Sequence, residues 1–352
     1  MTLMNQSSEP IKTVRKTRSV TINPPKMCQP MGAILAYMGV HGCVPLVHGS
    51  QGCSTYPRYN IARHFRESAE VAVSSLAEDA AVYGGAKNLT EAIKNVKSRL
   101  NPAAIGICTT CMSETIGDDV KLIAKNALTP GDAVKIFPAS TPSYVGTHLT
   151  GYDNALKTLV ETLAVKGEQN NKINIITGII NPGDIREIKN MLRLMNVQSI
   201  FLSDISETLD TPILPGGHKP LLPDGGTSLS DIADSANSLG TIAICRTAGS
   251  AATYLKNKFN VPSVPDPAPI GVINTDRFAH NILLRAPPRA SAAADAVLRM
   301  RYSHDLGAAQ VISIGMIDVL EHFAPADLEA FSAASAVIDI ASHHKGGSPA
   351  PA

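Results

Sequence analysis

A chain of 352 residues with 44% hydrophobic content is long enough for two domains and has the apolar side chains for real cores. Its formal net charge of +1, with Lys and Arg spread along the chain, excludes the basic footprint of a nucleic-acid binder and a polybasic membrane patch. The charged N-terminus has no apolar core of a secretory signal, and the most apolar stretch, Met31 to Val47, is broken by Gly39, His41, Gly42 and Pro45. Neither export nor a membrane span is expected, and the protein reads as cytoplasmic.

In chain order, residues 1–23 read as an N-terminal extension. Short β-branched runs follow at 103–108 (AAIGIC), 133–139 (AVKIFPA), 173–178 (INIITG), 197–203 (VQSIFLS) and 241–245 (TIAIC). Helical spacing fills the intervals, after Tyr152 (DNALKTLVETLAV), after Pro182 (GDIREIKNMLRLM) and after Gly249 (SAATYLKNKF). Strands alternating with helices require crossover connections, so the expected class is α/β: Rossmann-like domains with mostly parallel sheets flanked by helices. In NPGD, Pro182 and Asp184 suit a helix start, through the fixed φ of proline and the macrodipole's preference for negative charge. A boundary is expected near 150–170, giving an α/β domain at 24–165 that carries the cysteines of interest and a second at 166–278. Residues 279–352 form a divergent segment, Ala-, Arg- and Pro-rich at first and ending in HHKGGSPAPA, which is expected to be disordered. There is no internal repeat and no G-x-x-x-x-G-K-[ST] loop, so nucleotide hydrolysis by this chain is not expected.

In a reducing compartment the six cysteines, Cys28, Cys43, Cys53, Cys108, Cys111 and Cys245, are not expected to form a disulfide framework. Three share a setting: Cys28 follows an Asn-Pro-Pro turn, Cys53 follows the glycine turn HGSQG, and Cys111 lies just beyond a strand. Loops after strands gather at one sheet edge in α/β folds, so the three can converge. Two readings stand. Thiolates suit iron–sulfur clusters and zinc, with Gly32, Gly49 and Gly52 letting backbone N–H groups approach sulfides. Alternatively each Cys is a buried small hydrophobe. Within CTTC, Cys108 ends an apolar strand and reads as structural, which leaves Cys111 as the functional candidate.

The stretches NPPKMCQPMGA, PLVHGSQGCSTYPR, RHFRE, SSLAEDAAVYGGAKNL, TTCMSETIGDDV, TPSYVGTHLTGYDNA, NPGDIREIKNML, LDTPILP and PIGVINTD run in one order from Pro24 to about Phe278. Together they resemble the β-type subunit of the nitrogenase component 1 family, that of the molybdenum–iron, vanadium–iron and iron–iron proteins. The resemblance implies that Cys28, Cys53 and Cys111 are this chain's share of an interface iron–sulfur P-cluster (8Fe-7S), with Ser143 able to ligate it when oxidised. It also implies an α-type partner subunit in an α2β2 hetero-oligomer and an ATP-dependent iron-protein reductase that docks transiently. Three thiolates alone would leave so large a cluster at a surface, so a second chain should cap it.

Tyr83 matches a position near the docking site of the reductase, against the alternative of a core tyrosine. His48 is expected to serve structurally near the glycine turn. Arg58, Arg63, His64 and Arg66 either offset cluster charge or form a solvated face. Glu114, Asp118 and Asp119 read as a helix start rather than an acid–base pair. The chain departs from the family at Pro57, where an aromatic is common and where the proline reads as one following a turn, and beyond PIGVINTDRF, where no counterpart of the family's third α/β domain is expected. A shortened homologue, a frameshift or a different terminal module would each explain that. The function implied is relay of electrons through the P-cluster to a cofactor on the partner, for reduction of dinitrogen. The rivals are a cofactor-assembly scaffold and a nitrogenase-like reductase of another small substrate.

Overall fold

The computed structural model describes residues 26–286 apart from 68, 212–221, 223–224 and 245–247, with only the backbone at 272–273. The expected N-terminal extension, most of the divergent C-terminal segment with its tail, and Cys245 lie outside the described residues. The elements in order are α1 (Gln29–Met38), β1 (Cys43–His48), α2 (Gln51–His64), β2 (Ala72–Val73), α3 (Glu78–Tyr83), α4 (Ala86–Leu100), β3 (Ala104–Thr109), α5 (Cys111–Ile116), α6 (Val120–Asn126) and β4 (Lys135–Ala139). Then come α7 (His148–Leu163), β5 (Lys172–Ile176), α8 (Pro182–Leu194), β6 (Gln198–Phe201), α9 (Leu229–Asp234), β7 (Gly240–Ala243), α10 (Ser250–Phe259), β8 (Ser263–Pro265) and α11 (Gly271–Leu283).

Two sheets result, ordered β2-β1-β3-β4 and β6-β5-β7-β8, and every pairing in both is parallel. The expected α/β class with parallel sheets flanked by helices is what the chain adopts. The five β-branched runs became β3 to β7, and α8 opens on Pro182 with Asp184 in its first turn.

The apolar stretch from Met31 to Val47 divides into a helix and a strand. Gly39 caps α1, and Gly42 turns the chain at φ +63°, a conformation that favours glycine. All six residues of β1 are buried, so this central strand shows no polar alternation. Pro45 is tolerated because it lies before Leu46, where β2 first joins; on that side the strand is still an edge.

Side chains alternate across the first sheet with the period of two that a strand imposes. Val44, Leu46, Ile105 and Ile107 pack against Leu89, Ile93 and Val96, one face of α4. Burying each of these is worth about 1.5–3 kcal/mol, far more than the helix propensities involved. Cys43, Val47, Ala104 and Cys108 face the other way, towards α1. There the Tyr37 ring lies over Gly106, where any Cβ would collide with it, and the Tyr37 hydroxyl donates to the Phe137 carbonyl at 2.8 Å.

Helix α7, which begins inside GTHLTGYDN, packs on both α1 and α10 and so touches the helical layers of both sheets. It crosses α1 at two glycines: a Cβ on Gly32 would overlap the His148 carbonyl, and one on Gly151 the Gln29 carbonyl. At the sheet edge, His48 pairs with Thr109, so β1 and β3 end side by side and α2 and α5 start from the same edge.

Candidate metal centre

Cys28 is the N-cap residue of α1, Cys53 lies in the first turn of α2, and Cys111 is the first residue of α5. Cys28 and Cys111 are exposed and Cys53 is half-buried. Ser143 ties two of these helix starts together: its amide donates to Cys111 Sγ at 3.3 Å, and its hydroxyl accepts from the amide of Gln29, the residue after Cys28, at 3.1 Å. His148 clamps the residue before Cys28, accepting the Met27 amide on Nδ1 at 3.2 Å and donating its own amide to the Met27 carbonyl at 2.9 Å. At the third start the Ser50 hydroxyl donates to Cys53 Sγ at 3.5 Å.

The remaining described cysteines behave differently. Cys43 and Cys108 are buried in the sheet, and burial pushes the Cys43 thiol up to about 12 and the Cys108 thiol higher still. Neither is poised to ionise, and CTTC thus divides into a core residue and an exposed one. Free cysteine is ordinarily among the most buried residue types, so the exposure of Cys28 and Cys111 is the informative deviation.

Two expectations need correction. Gly32 and Gly49 do not open space for a sulfide: Gly32 is filled by α7, and a Cβ on Gly49 would strike the Thr110 side chain. Only Gly52 faces open space, its nearest neighbour being Ser50 Oγ at 4.0 Å. Pro57 does not follow a turn; it is inside α2 and buried. Lacking an N–H, it leaves the Cys53 carbonyl without its helical donor four residues on.

His48 is fully buried at the end of β1, between Ser74 Oγ (2.9 Å from Nδ1) and Asp118 Oδ2 (3.0 Å from Nε2). Asp118 also accepts the Gly85 amide at 3.0 and 3.1 Å, whereas its neighbour Asp119 caps α6 through the Leu122 amide at 3.0 Å. Glu114 accepts hydroxyls from Thr109 and Ser140 at 2.5 and 2.6 Å. These carboxylates are structural acceptors, and the His48–Asp118 contact, 70 residues apart in sequence, was not legible before the fold. Desolvation lowers the His48 pKa from 6.5, with the Asp118 hydrogen bond and charge opposing it. A depressed histidine stabilises the fold fully above its unfolded value and less as pH falls through its folded one. Denaturant unfolding should therefore show stability declining below about pH 6.5, with a shallower decline in His48→Asn.

The basic run forms a solvated face. Arg63 bonds the Tyr59 hydroxyl at 2.8 Å and stacks on its ring, His64 meets Asn181 at 3.3 Å, Arg66 donates to the Thr211 carbonyl at 2.8 Å, and Arg58 is exposed. Large apolar side chains beside the thiols are also exposed: Tyr56 and Tyr59 on α2, and Tyr144 and Val145 directly after Ser143. Tyr83 is 88% exposed at the end of α3, which removes the core-tyrosine reading.

Among the described residues no three His, Cys, Asp or Glu side chains surround a single ion. Three thiols on three helix starts of one edge, with Ser143 bonded to one start through its hydroxyl and to another through its amide, instead suit a body that reaches from one start to the next. Soft thiolates are the donor set of iron–sulfur clusters, and the residues present fit such a group. No described helix is long and apolar enough to cross a membrane.

Comparison with known proteins agrees in kind. The family model of the nitrogenase component 1 type oxidoreductases matches residues 28–295. The nitrogenase molybdenum-iron protein beta chain of Methanococcus maripaludis is 49% identical over 77% of this chain and 62% of its own length. The nitrogenase vanadium-iron protein beta chain of Trichormus variabilis is 45% identical over 76% of this chain and 59% of its own. A solved chain of nitrogenase Cp1 at pH 6.5 superposes with a TM-score of 0.73 at 36% identity, covering 82% of this chain and 64% of that one. The chain thus spans about three fifths of the length of these curated relatives. With the model matched over most of its length, this chain belongs to the nitrogenase component 1 type oxidoreductase family.

Proposed function

We propose that the chain is the β-type subunit of a nitrogenase or nitrogenase-like component 1, holding its half of an interface 8Fe-7S P-cluster through Cys28, Cys53, Cys111 and Ser143. The observation that carries this is the delivery of these thiols to one edge by three helix starts, two of the thiols exposed, with Ser143 bonded between Cys111 and the residue after Cys28. When bound, the cluster supplies one-electron relay from an ATP-dependent reductase to the cofactor on the α-type subunit, where dinitrogen is reduced. This chain's residues ligate, orient and shield. The exposed Tyr56, Tyr59, Tyr144 and Val145 give the partner an apolar surface to cover beside the thiols, which keeps water from the cluster in an α2β2 assembly. Tyr83 supplies an exposed aromatic for transient docking of the reductase.

The scaffold reading would tolerate loss of part of the donor set; Cys28, Cys53, Cys111 and Ser143 together favour electron relay. Relatives named for molybdenum-iron, vanadium-iron and iron-iron proteins are 49%, 45% and 41% identical to the chain, all of them beta chains. Anaerobic co-purification with the α-type subunit, with iron and sulfide quantification and EPR of the oxidised complex, tests it. A complex carrying several irons is expected. A chain that recovers neither iron nor partner would sink the reading.

A further inference from the structure

We propose that His48 and Asp118 are positioning residues, holding the Tyr83–Gly85 turn, at which Tyr83 is exposed, and the helix starts that carry Cys53 and Cys111 in one hydrogen-bonded frame. The turn is fastened first. Gly84 has φ +86°, and a Cβ on Gly85 would run into Asp118 Oδ2, Leu76 and the His48 ring, so both positions require glycine. The Gly85 amide is held by both oxygens of Asp118, whose side chain is 7% exposed.

One tautomer of His48 satisfies every group in line. Nε2–H donates to Asp118, the Ser74 hydroxyl donates to Nδ1, and the Gly49 amide donates to Ser74 Oγ at 3.1 Å. Gly49 precedes Ser50, the N-cap of the Cys53 helix. The backbone of His48 serves the other start: its carbonyl accepts the hydroxyl of Thr110, the N-cap of the Cys111 helix, at 3.0 Å. Gly49 also abuts Thr110. Three buried side chains, Asp118, His48 and Ser74, therefore link Gly85 to the start of the Cys53 helix, and two, Asp118 and His48, link it to the start of the Cys111 helix. The start of α1 meets this frame only where the Ser143 amide reaches Cys111 Sγ; its own anchors are the Ser143 hydroxyl on Gln29 and His148 on Met27.

A network that merely added stability would, when broken, loosen all three thiols together; a positioning frame loosens two and spares the third. Cys28 is thus an internal control. In the proposed β-type subunit, on which the role of these thiols rests, the frame would tie the surface offered to the electron donor to two of the cluster ligands.

The test is site-resolved alkylation of the reduced, full-length chain with iodoacetamide under anaerobic conditions, together with hydrogen exchange at Gly85. In Asp118→Asn, Gly85 exchange should quicken and alkylation of Cys53 and Cys111 should accelerate about tenfold, the scale on which losing a charged buried acceptor shifts a local opening. Cys28 should change less than about twofold on the same scale. His48→Asn keeps an amide facing Ser74 while losing Asp118, and should reproduce the pattern if the first variant fails to fold. Equal acceleration at all three cysteines, or none at Cys53 and Cys111, overturns the proposal. Iron content of the co-purified wild-type complex is read separately. The expected alkylation pattern in a chain that binds no iron upholds the frame and removes the β-subunit reading; iron with the wrong pattern does the reverse.

Discussion

Replacing Cys53 with alanine should strip most of the cluster iron from the co-purified complex, whereas Cys108→Ala should leave the iron content unchanged and lower thermal stability. The two cysteines are chemically identical and differ in setting. Cys53 is half-buried in the first turn of α2, its sulfur accepting from Ser50 and the adjacent Gly52 facing open space. Cys108 is fully buried beneath α1 at the end of β3, its thiol held neutral by burial. Alanine at 53 removes one of the three thiols proposed as ligands at the edge. Even residues that merely orient metal ligands typically cost 10–100-fold in affinity when lost, so loss of a ligand itself should cost at least about that. Alanine at 108 leaves a small cavity, costing about 1–2 kcal/mol, without touching the edge. Iron per complex and the melting midpoint, measured on both variants, separate the outcomes. Equal iron in wild type and Cys53→Ala would mean that Cys53 is a packed thiol and that the ligand set is wrong.

Much of this arrangement was legible from local pattern. β-branched runs between turn residues marked β3 to β7, because those strands are short, apolar and bounded by Gly, Pro, Asn or Asp. Strand β1 was hidden by the same burial that makes it central: with six buried residues and Pro45 inside, it shows neither alternation nor a clean run. Strands β2 and β8 are two and three residues long, too short for any period. The three thiols were singled out by sequence context, since Cys28 follows Asn-Pro-Pro, Cys53 a glycine-rich stretch and Cys111 an apolar run. The surroundings of the glycines beside them were not legible, because a sequence records that a position lacks a Cβ and not what fills the space. Gly52 faces open space, but Gly49 meets Thr110 and Gly32 meets a helix more than a hundred residues away. Asp118 was read with Asp119 as one helix start; only the fold separates a cap from a partner of His48.

Gly32→Ala should be the most damaging single-methyl addition near the site, because the added carbon has nowhere to go. It would overlap the His148 carbonyl oxygen and lie 2.8 Å from the Tyr152 amide nitrogen, both backbone atoms of α7, so no rotamer change can relieve it. α1 must move away from α7, yet the facing contact, Gly151 against the Gln29 carbonyl, is just as close. Overpacking of this kind costs about 1–3 kcal/mol, here towards the upper end because backbone and not side chain must yield. For a body of this size that is a fall in melting midpoint on the order of 5–10 °C. Gly249→Ala is the matched control: among the described residues nothing lies within 4 Å of its added carbon and its φ is −94°, so its midpoint should hold. The site should register the change as well. His148 holds Met27, and Ser143 holds Gln29, so pushing the two helices apart pulls Cys28 away from Cys111. Alkylation of Cys28 should therefore rise in Gly32→Ala at temperatures well below its melting midpoint, while Cys53, fastened through Gly49 and Ser74, keeps its wild-type rate. If Cys53 rose with Cys28, the helix crossing and the His48 frame would be one mechanical unit rather than two, and the three thiols would be set by a single support.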